Sequence, residues 1–409
     1  MKIIGYNSSH DTCIAQFDSD SWEVDFLYYE DRFRRAKHFS PDYDHNHSHA
    51  VERMKLKDSP PDHFIGASFD RRVYDWGFEN LSQENRKLQR EILAFCKEEQ
   101  LTYERIQVIK EKYKEHFMEW GENIKNNPTY NYDGVDYSYT ESPIDDSLHA
   151  TVAKQLGLTE YHYEVEHHLY HAECGYYFSD YRKGDEFNDP ESAICIVQDG
   201  GGAVRLCEDY PNYQEVESIY LCSPDSKPEL QWQRLSNYRS IDSMGSRDFP
   251  NELKSALAYT PELTIEHDGA EIVISSAPSS GMNFSAASMY FGFDKLGRAA
   301  GKVMGAAAIH YYNQDAYSPD ISTHAVCNLV EQKAYDYTCT LIQKGIDLNP
   351  DCKNILLSGG YALNCTNNAK YLTAFPDYQF FVDPVANDAG TAIGSAIRLA
   401  RAINVGEEI

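Results

Sequence analysis

The chain has 409 residues, 42% of them hydrophobic and 13% aromatic, which supports packed cores and excludes a disordered protein. Its 64 acidic against 37 basic side chains leave a formal charge of -27, which repels duplex phosphates at long range and confines any nucleic-acid contact to a local basic groove or a single strand. Single cores stop growing near about 250–300 residues, so two lobes are expected.

In chain order, KIIGY (2–6), TCIAQF (12–17) and WEVDFLYYE (22–30) read as three strands separated by the turns NSSHD and SDS. A polar, charged region follows from about 40 to 158. Two of its segments carry helical stripes, Leu88, Ile92 and Phe95, then Ile106, Ile109, Tyr113, Phe117 and Trp120, so a helical insertion is expected there. The tyrosine-rich PTYNYDGVDYSYTESPIDDS reads as an ordered loop. Next comes EVEHHLYHAECGYY (164–177), with His167, His168 and His171. On a helix His167 and His171 share a face, as two metal ligands must, whereas His168 points elsewhere. Ordinary surface or core histidines would look the same.

The opening pattern then returns. AICIVQ (193–198), the turn DGGG, AVRLCE and VESIYLC (216–222) repeat the β–turn–β–β order, which predicts a duplicated architecture. NILLSGG (354–360) is a further strand ending on a glycine pair, YALNCTNNAKYL reads as helix and YQFFVDP (378–384) as strand. NDAGTAIGSAIRLARAI closes the chain as a helix with the stripe Ile393, Ile397, Ala400 and Ile403. The expected lobes are 1–192, carrying the insertion, and 193–409, closed by that helix.

Ten cysteines are scattered with no C-x-x-C pair, which excludes zinc-finger and dithiol redox motifs and fits a reduced, cytoplasmic protein. MKIIGYNSSHD turns polar too soon for a signal peptide, and no apolar run nears the roughly 18–20 residues of a membrane span. No membrane partner is expected; a homo-oligomer stays open.

Chemistry gathers at the turns that follow strands, where α/β sheets bind ligands. NSSHD offers Ser8, Ser9, His10 and Asp11, QDGGG offers Asp199, SGG with LN offers Gly359, Gly360 and Asn364, and ANDAG offers Asp388. Each has a plain reading: Asp199 caps a turn, Asp388 is a helix N-cap, and the glycines make a tight turn. Two histidines at i,i+4 plus two aspartates would make a mixed N/O site, suited to iron, manganese or zinc.

Several segments resemble the NodU/CmcH family of O-carbamoyltransferases, whose main domain has the actin/sugar-kinase fold and is similar to the tRNA threonylcarbamoyl-transferase domain. IIGYNSSHDTCIA resembles the family's opening strand and S-H-D turn, and EDRFRRAKH (30–38) its E-E-R-F-x-R-x-K-H segment. HHLYHAECGYY, VQDGGG, GKVMGAAA (301–308), LSGGYALNCTNN and NDAGTAIGSA resemble further motifs in the family's order. The resemblance covers most of the chain outside the insertion. It implies a duplicated actin-like α/β fold, two lobes around a nucleotide cleft.

It also implies His167, His171, Asp199 and Asp388 as ligands of an iron-type ion that helps hold nucleotide phosphates. ATP and carbamoyl phosphate would give carbamoyl-adenylate, and the carbamoyl group would pass to an acceptor hydroxyl. Gly359, Gly360 and Asn364 would hold the adenosine; Lys302, Arg32 and Lys37 would neutralise phosphate, or lie at solvated surface positions. His10 or Asp11 would accept the acceptor's proton. Longer relatives carry a YrdC-like C-terminal domain that makes the adenylate. Its motifs are absent here, so either a separate adenylate-forming protein is a partner or the site works differently.

The acceptor expected is the hydroxymethyl of a modified pyrimidine such as 5-hydroxymethylcytosine in DNA, met as a single or locally opened strand. The insertion's tyrosines with Arg86, Lys87 and Arg90 would form the contact surface, each being equally at home on a solvated helix face. A sugar or natural-product hydroxyl, a threonylcarbamoyl transfer to tRNA, and a non-catalytic ATP- and metal-binding regulator are the alternatives.

Overall fold

A computed structural model describes residues 1–7, 11–29, 54–56, 58–67, 129–132, 135–138, 152–153, 155–158, 162–163, 166–184, 189–207, 210–236, 263–267, 269–275, 277–293, 299–312 and 323–407. The chain divides into two compact units. One holds Met1–Tyr170, Leu206–Pro211 and Asp388–Ile409, the other His171–Arg205 and Asn212–Asn387.

In the first unit β1 (Lys2–Asn7), β2 (Cys13–Asp18) and β3 (Glu23–Tyr29) form an antiparallel meander. β4 (His63–Gly66) and β7 (His162–Tyr163) add in parallel on the far side of β1, in the order β3-β2-β1-β4-β7. Ile3, Ile4 and Tyr6 of β1 are fully buried. Their burial stabilises by roughly 1.5–3 kcal/mol each for side chains of this size. The final helix, Ala389–Val405, lies against this strand. A Cβ on Gly5 would stand 1.8 Å from the carbonyl oxygen of Ala392, so only glycine admits this approach.

Two expectations change here. The closing helix, expected in the second lobe, packs its apolar stripe on β1 and β2 of the first unit. Within 40–158, expected as one helical insertion, β4 belongs to the sheet core, with Phe64 and Ile65 fully buried. A four-residue strand between polar flanks is too short to show a period. The tyrosine-rich loop also contains an antiparallel hairpin, β5 (Thr129–Tyr132) with β6 (Val135–Ser138). Asp133-Gly134 separates its strands, a dipeptide that favours hairpins. The expected insertion helices, with Arg86, Lys87 and Arg90, lie outside the described residues.

The second unit repeats the first unit's topology. β8 (Ala193–Gln198), β10 (Tyr210–Cys222) and β11 (Glu229–Ser236) form an antiparallel meander. β14 (Asn354–Ser358) and β15 (Gln379–Val382) add in parallel beyond β8. The order β11-β10-β8-β14-β15 thus matches β3-β2-β1-β4-β7 strand for strand and direction for direction. The fold is a duplicated actin-type α/β fold. β13 (Ala270–Ser275) and β12 (Leu263–His267) extend the second sheet, and β9 (Val204–Cys207) pairs with β10.

Counting helices in chain order, α1 is His167–Phe178, α2 Asp180–Lys183, α3 Ser280–Tyr290, α4 Ala300–Tyr312, α5 Thr323–Leu348, α6 Cys365–Ala374 and α7 Ala389–Val405. α5 lies close on β8, where a Cβ on Gly345 would come within 2.7 Å of Ile194 Cγ2. Ile194, Ile196, Ile219, Trp232, Ile342 and Ile355 fill this core. Among the described residues no helix is long and apolar enough to cross a membrane.

Candidate functional site

The parallel strands of the second unit deliver the site residues at their carboxyl ends. Asp199 follows β8, the glycine pair follows β14, and Asp383 follows β15. Gly359 has φ 84, and a Cβ there would lie 2.3 Å from the carbonyl oxygen of Gln198. On Gly360 a Cβ would lie 2.9 Å from Asp199 Oδ1. The glycine pair is therefore required by the protein's own packing, because it brings the end of β14 against the end of β8.

The turn after Asp199 is held from both sides. The Gly200 N–H donates to Asp199 Oδ1 at 2.7 Å, so the carboxylate does cap its own turn. The Ser279 hydroxyl donates to the Gly200 carbonyl at 2.9 Å and also caps α3 by accepting from the Met282 N–H at 3.0 Å. Arg234, 1% exposed, fixes the approach to that cap. It pairs with Glu217 through Nε and Nη2 at 2.5 and 2.9 Å and donates to the carbonyls of Ala277 and Pro278.

α1 carries His167 and His171 one turn apart, and the division between the units falls inside it, after Tyr170. In the first unit His167 Nε2 lies 3.7 Å from Asp388 Oδ1. Asp388 stands at the head of α7, but its side chain makes no capping hydrogen bond; the plain N-cap reading does not hold. In the second unit a ring nitrogen of His171 and a carboxylate oxygen of Asp199 lie within 4.8 Å of each other. All four are buried, and each offers an atom of a type that can ligate a metal; His168 is also buried.

The donors fit a transition-metal ion. Ligand atoms each about 2.0–2.2 Å from one ion sit roughly 3–3.6 Å apart, so the 3.7 Å pair needs only a slight closure. Two imidazole nitrogens with two carboxylates suit iron, manganese or zinc over calcium or magnesium. A divalent cation would also offset the several kcal/mol that burying each carboxylate costs.

Beneath α1, in the second unit, lies a carboxylate that the sequence did not single out. Asp383 is 2% exposed. It accepts from the Ser358 hydroxyl at 2.6 Å and the Val385 N–H at 2.8 Å, with the Cys174 thiol at 3.9 Å. Burial pushes its carboxyl up to about 6 against the lowering pull of these donors. Ser358 Oγ also lies 3.2 Å from the His171 carbonyl oxygen.

The remaining expected residues are placed as follows. Asp11 is buried just before β2, its carbonyl accepting from Asn7 Nδ2. Lys302 lies in α4, and its exposed ammonium donates to the Phe293 carbonyl at 3.1 Å. Asn364 is fully buried with its side chain engaged: Oδ1 caps α6 through the Asn367 N–H and Nδ2 donates to Glu331 Oε2 at 3.2 Å. His10, Arg32 and Lys37 lie outside the described residues.

Residues 340–397 match a family model described as the carbamoyltransferase N-terminus. The matched stretch runs from the end of α5 to α7 and includes Gly359, Gly360, Asn364, Asp383 and Asp388. No curated protein matches the chain. Among solved structures, full-length HypF in the phosphate- and nucleotide-bound form is 13% identical with a TM-score of 0.46, over 98% of this chain and 55% of that one. A ROK family protein from Streptococcus pneumoniae TIGR4 in complex with sucrose is 11% identical with a TM-score of 0.41, over 99% of each chain. Glucokinase from Balamuthia mandrillaris in complex with glucose is 12% identical with a TM-score of 0.40, over 98% of this chain and 93% of that one. The chain thus spans little more than half the length of the HypF chain.

Proposed function

We propose that the protein is an O-carbamoyltransferase, moving a carbamoyl group from a carbamoyl phosphate-derived, ATP-dependent donor to an acceptor hydroxyl. The observation that carries this reading is the carbamoyltransferase family match over residues 340–397, which contains the glycine pair and Asp388. His167, His171, Asp199 and Asp388 would hold one ion. When bound, the ion supplies positive charge against phosphate oxygens.

The chain's own residues supply the rest. The nucleotide's adenosine would sit by the turn after β14, beside Gly359, Gly360 and Asn364, where the glycine pair packs against Gln198 and Asp199. Lys302, Arg32 and Lys37 offer positive charge for phosphate. In the transfer the acceptor oxygen bonds to the carbamoyl carbon as the bond to the departing phosphate or adenylate oxygen breaks. The acceptor's proton passes to a base, for which His10 and Asp11 are the candidates.

The acceptor we favour is the hydroxymethyl of a modified pyrimidine, taken from single-stranded or locally opened DNA because a stacked base cannot enter an enzyme site. The test incubates the protein with ATP, carbamoyl phosphate, iron(II) and either hydroxymethylcytosine oligonucleotide or an aminoglycoside. Mass spectrometry should find one added carbamoyl group on the oligonucleotide. Addition to the sugar alone would overturn the acceptor, and addition to neither, with carbamoyl-adenylate supplied, would overturn the transfer itself.

A further inference from the structure

Beneath α1, one buried side chain touches three segments that lead to site residues. Asp383 Oδ2 accepts from Ser358, whose Oγ also lies 3.2 Å from the carbonyl oxygen of His171. Ser358 directly precedes the glycine pair that abuts Asp199. Asp383 Oδ1 accepts from the Val385 N–H, bending the turn that runs on through Ala386 and Asn387 to Asp388. The same oxygen faces the Cys174 thiol on α1. The helix sits close here, since a Cβ on Gly175 would meet Asp383 Cβ and Leu356 at 3.3 Å. Residues 171, 174 and 175 form one stripe of α1, so a single helix face rests on the Asp383–Ser358 pair.

We propose that Asp383 is a positioning residue for the metal ligands, acting through Ser358 on His171 and through Val385 on the turn leading to Asp388. This rests on the four-ligand reading above. Its physical basis is that a carboxylate accepts from several donors at once, where an amide oxygen has one acceptor atom and leaves its NH2 facing donors. Substituting asparagine at Asp383 therefore keeps the volume and breaks the convergence. Supporting residues of this kind usually change metal affinity about 10–100-fold when altered.

The experiment titrates the full-length metal-free protein with cobalt(II), followed by its visible absorption, and records thermal unfolding of the same metal-free samples. Wild type should bind one cobalt. Asp383→Asn and Ser358→Ala should each weaken binding about 10–100-fold while still unfolding cooperatively, and the cobalt spectrum should shift in band position. If Asp383→Asn does not fold, Ser358→Ala decides alone. Cobalt affinity and spectrum unchanged in a folded variant would overturn the inference. Failure of wild type to bind would instead overturn the four-ligand reading and this inference with it.

Discussion

Single residues set the tightest limits on the site. Gly359 combines a left-handed backbone with a carbonyl 2.3 Å from where a Cβ would stand, so Gly359→Ala should lower stability by about 3 kcal/mol or more in urea unfolding. Gly360 differs, because its Cβ would press on the Asp199 carboxylate rather than on backbone. Gly360→Ala should therefore leave unfolding nearly unchanged and weaken cobalt binding several-fold, read by titration. Asp383 has its own pH signature in the metal-free protein. Its folded pKa is raised from 3.8 to about 6, so its contribution is fully present below about pH 4 and is lost as pH rises through 6. At about 1.4 kcal/mol per pKa unit this amounts to roughly 3 kcal/mol, and Asp383→Asn should remove that part of the slope between pH 4 and 7. None of this was legible from the residue itself. Asp383 precedes a proline in VDP and reads as a turn aspartate, and its partner Cys174 is 209 positions away. Asp388 shows the same limit: an aspartate before a helix is an N-cap in sequence, and only the backbone reveals a side chain not used for capping.

At the scale of elements, legibility followed length and period. β1, β2 and β8 stood out because five or six apolar or alternating residues sit between clear turns, and α7 because its stripe from Ile393 to Ile403 runs about three turns. β4 was hidden by its four residues, and the β5–β6 hairpin by tyrosines that suggested a loop while Asp133-Gly134 signalled the reversal. The histidine pair was legible because helical spacing alone places it, whereas the aspartates near it come from strand ends that spacing cannot bring together. What steadies those ends is often buried charge. Arg234 ties β11 to β10 and to the lead-in of α3, whose cap holds the turn after Asp199. Arg234→Met leaves Glu217 buried without its cation and should destabilise by about 3–5 kcal/mol in equilibrium unfolding.

For the whole molecule, the duplication was readable from two β–turn–β–β runs, but the membership of the last helix was not, since an apolar stripe does not say which sheet it covers. The units are assembled differently from the chain: the second from residues that all lie between 171 and 387, the first from the segments on either side together with Leu206–Pro211. On a ribosome this sets an order of events. The second unit has all its residues once Asn387 has emerged, while β1, made long before, waits for α7. Some 382 positions separate the end of β1 at Asn7 from the start of α7 at Ala389. At about 5–20 residues per second the strand goes uncovered for on the order of 20–80 s. During that interval Ile3, Ile4 and Tyr6 are open to chaperones or to a neighbouring nascent chain. A fragment of residues 1–192 lacks α7 permanently and should aggregate or bind a hydrophobic dye strongly. Adding the 388–409 peptide in trans should restore solubility, because the partner of Gly5 is then supplied.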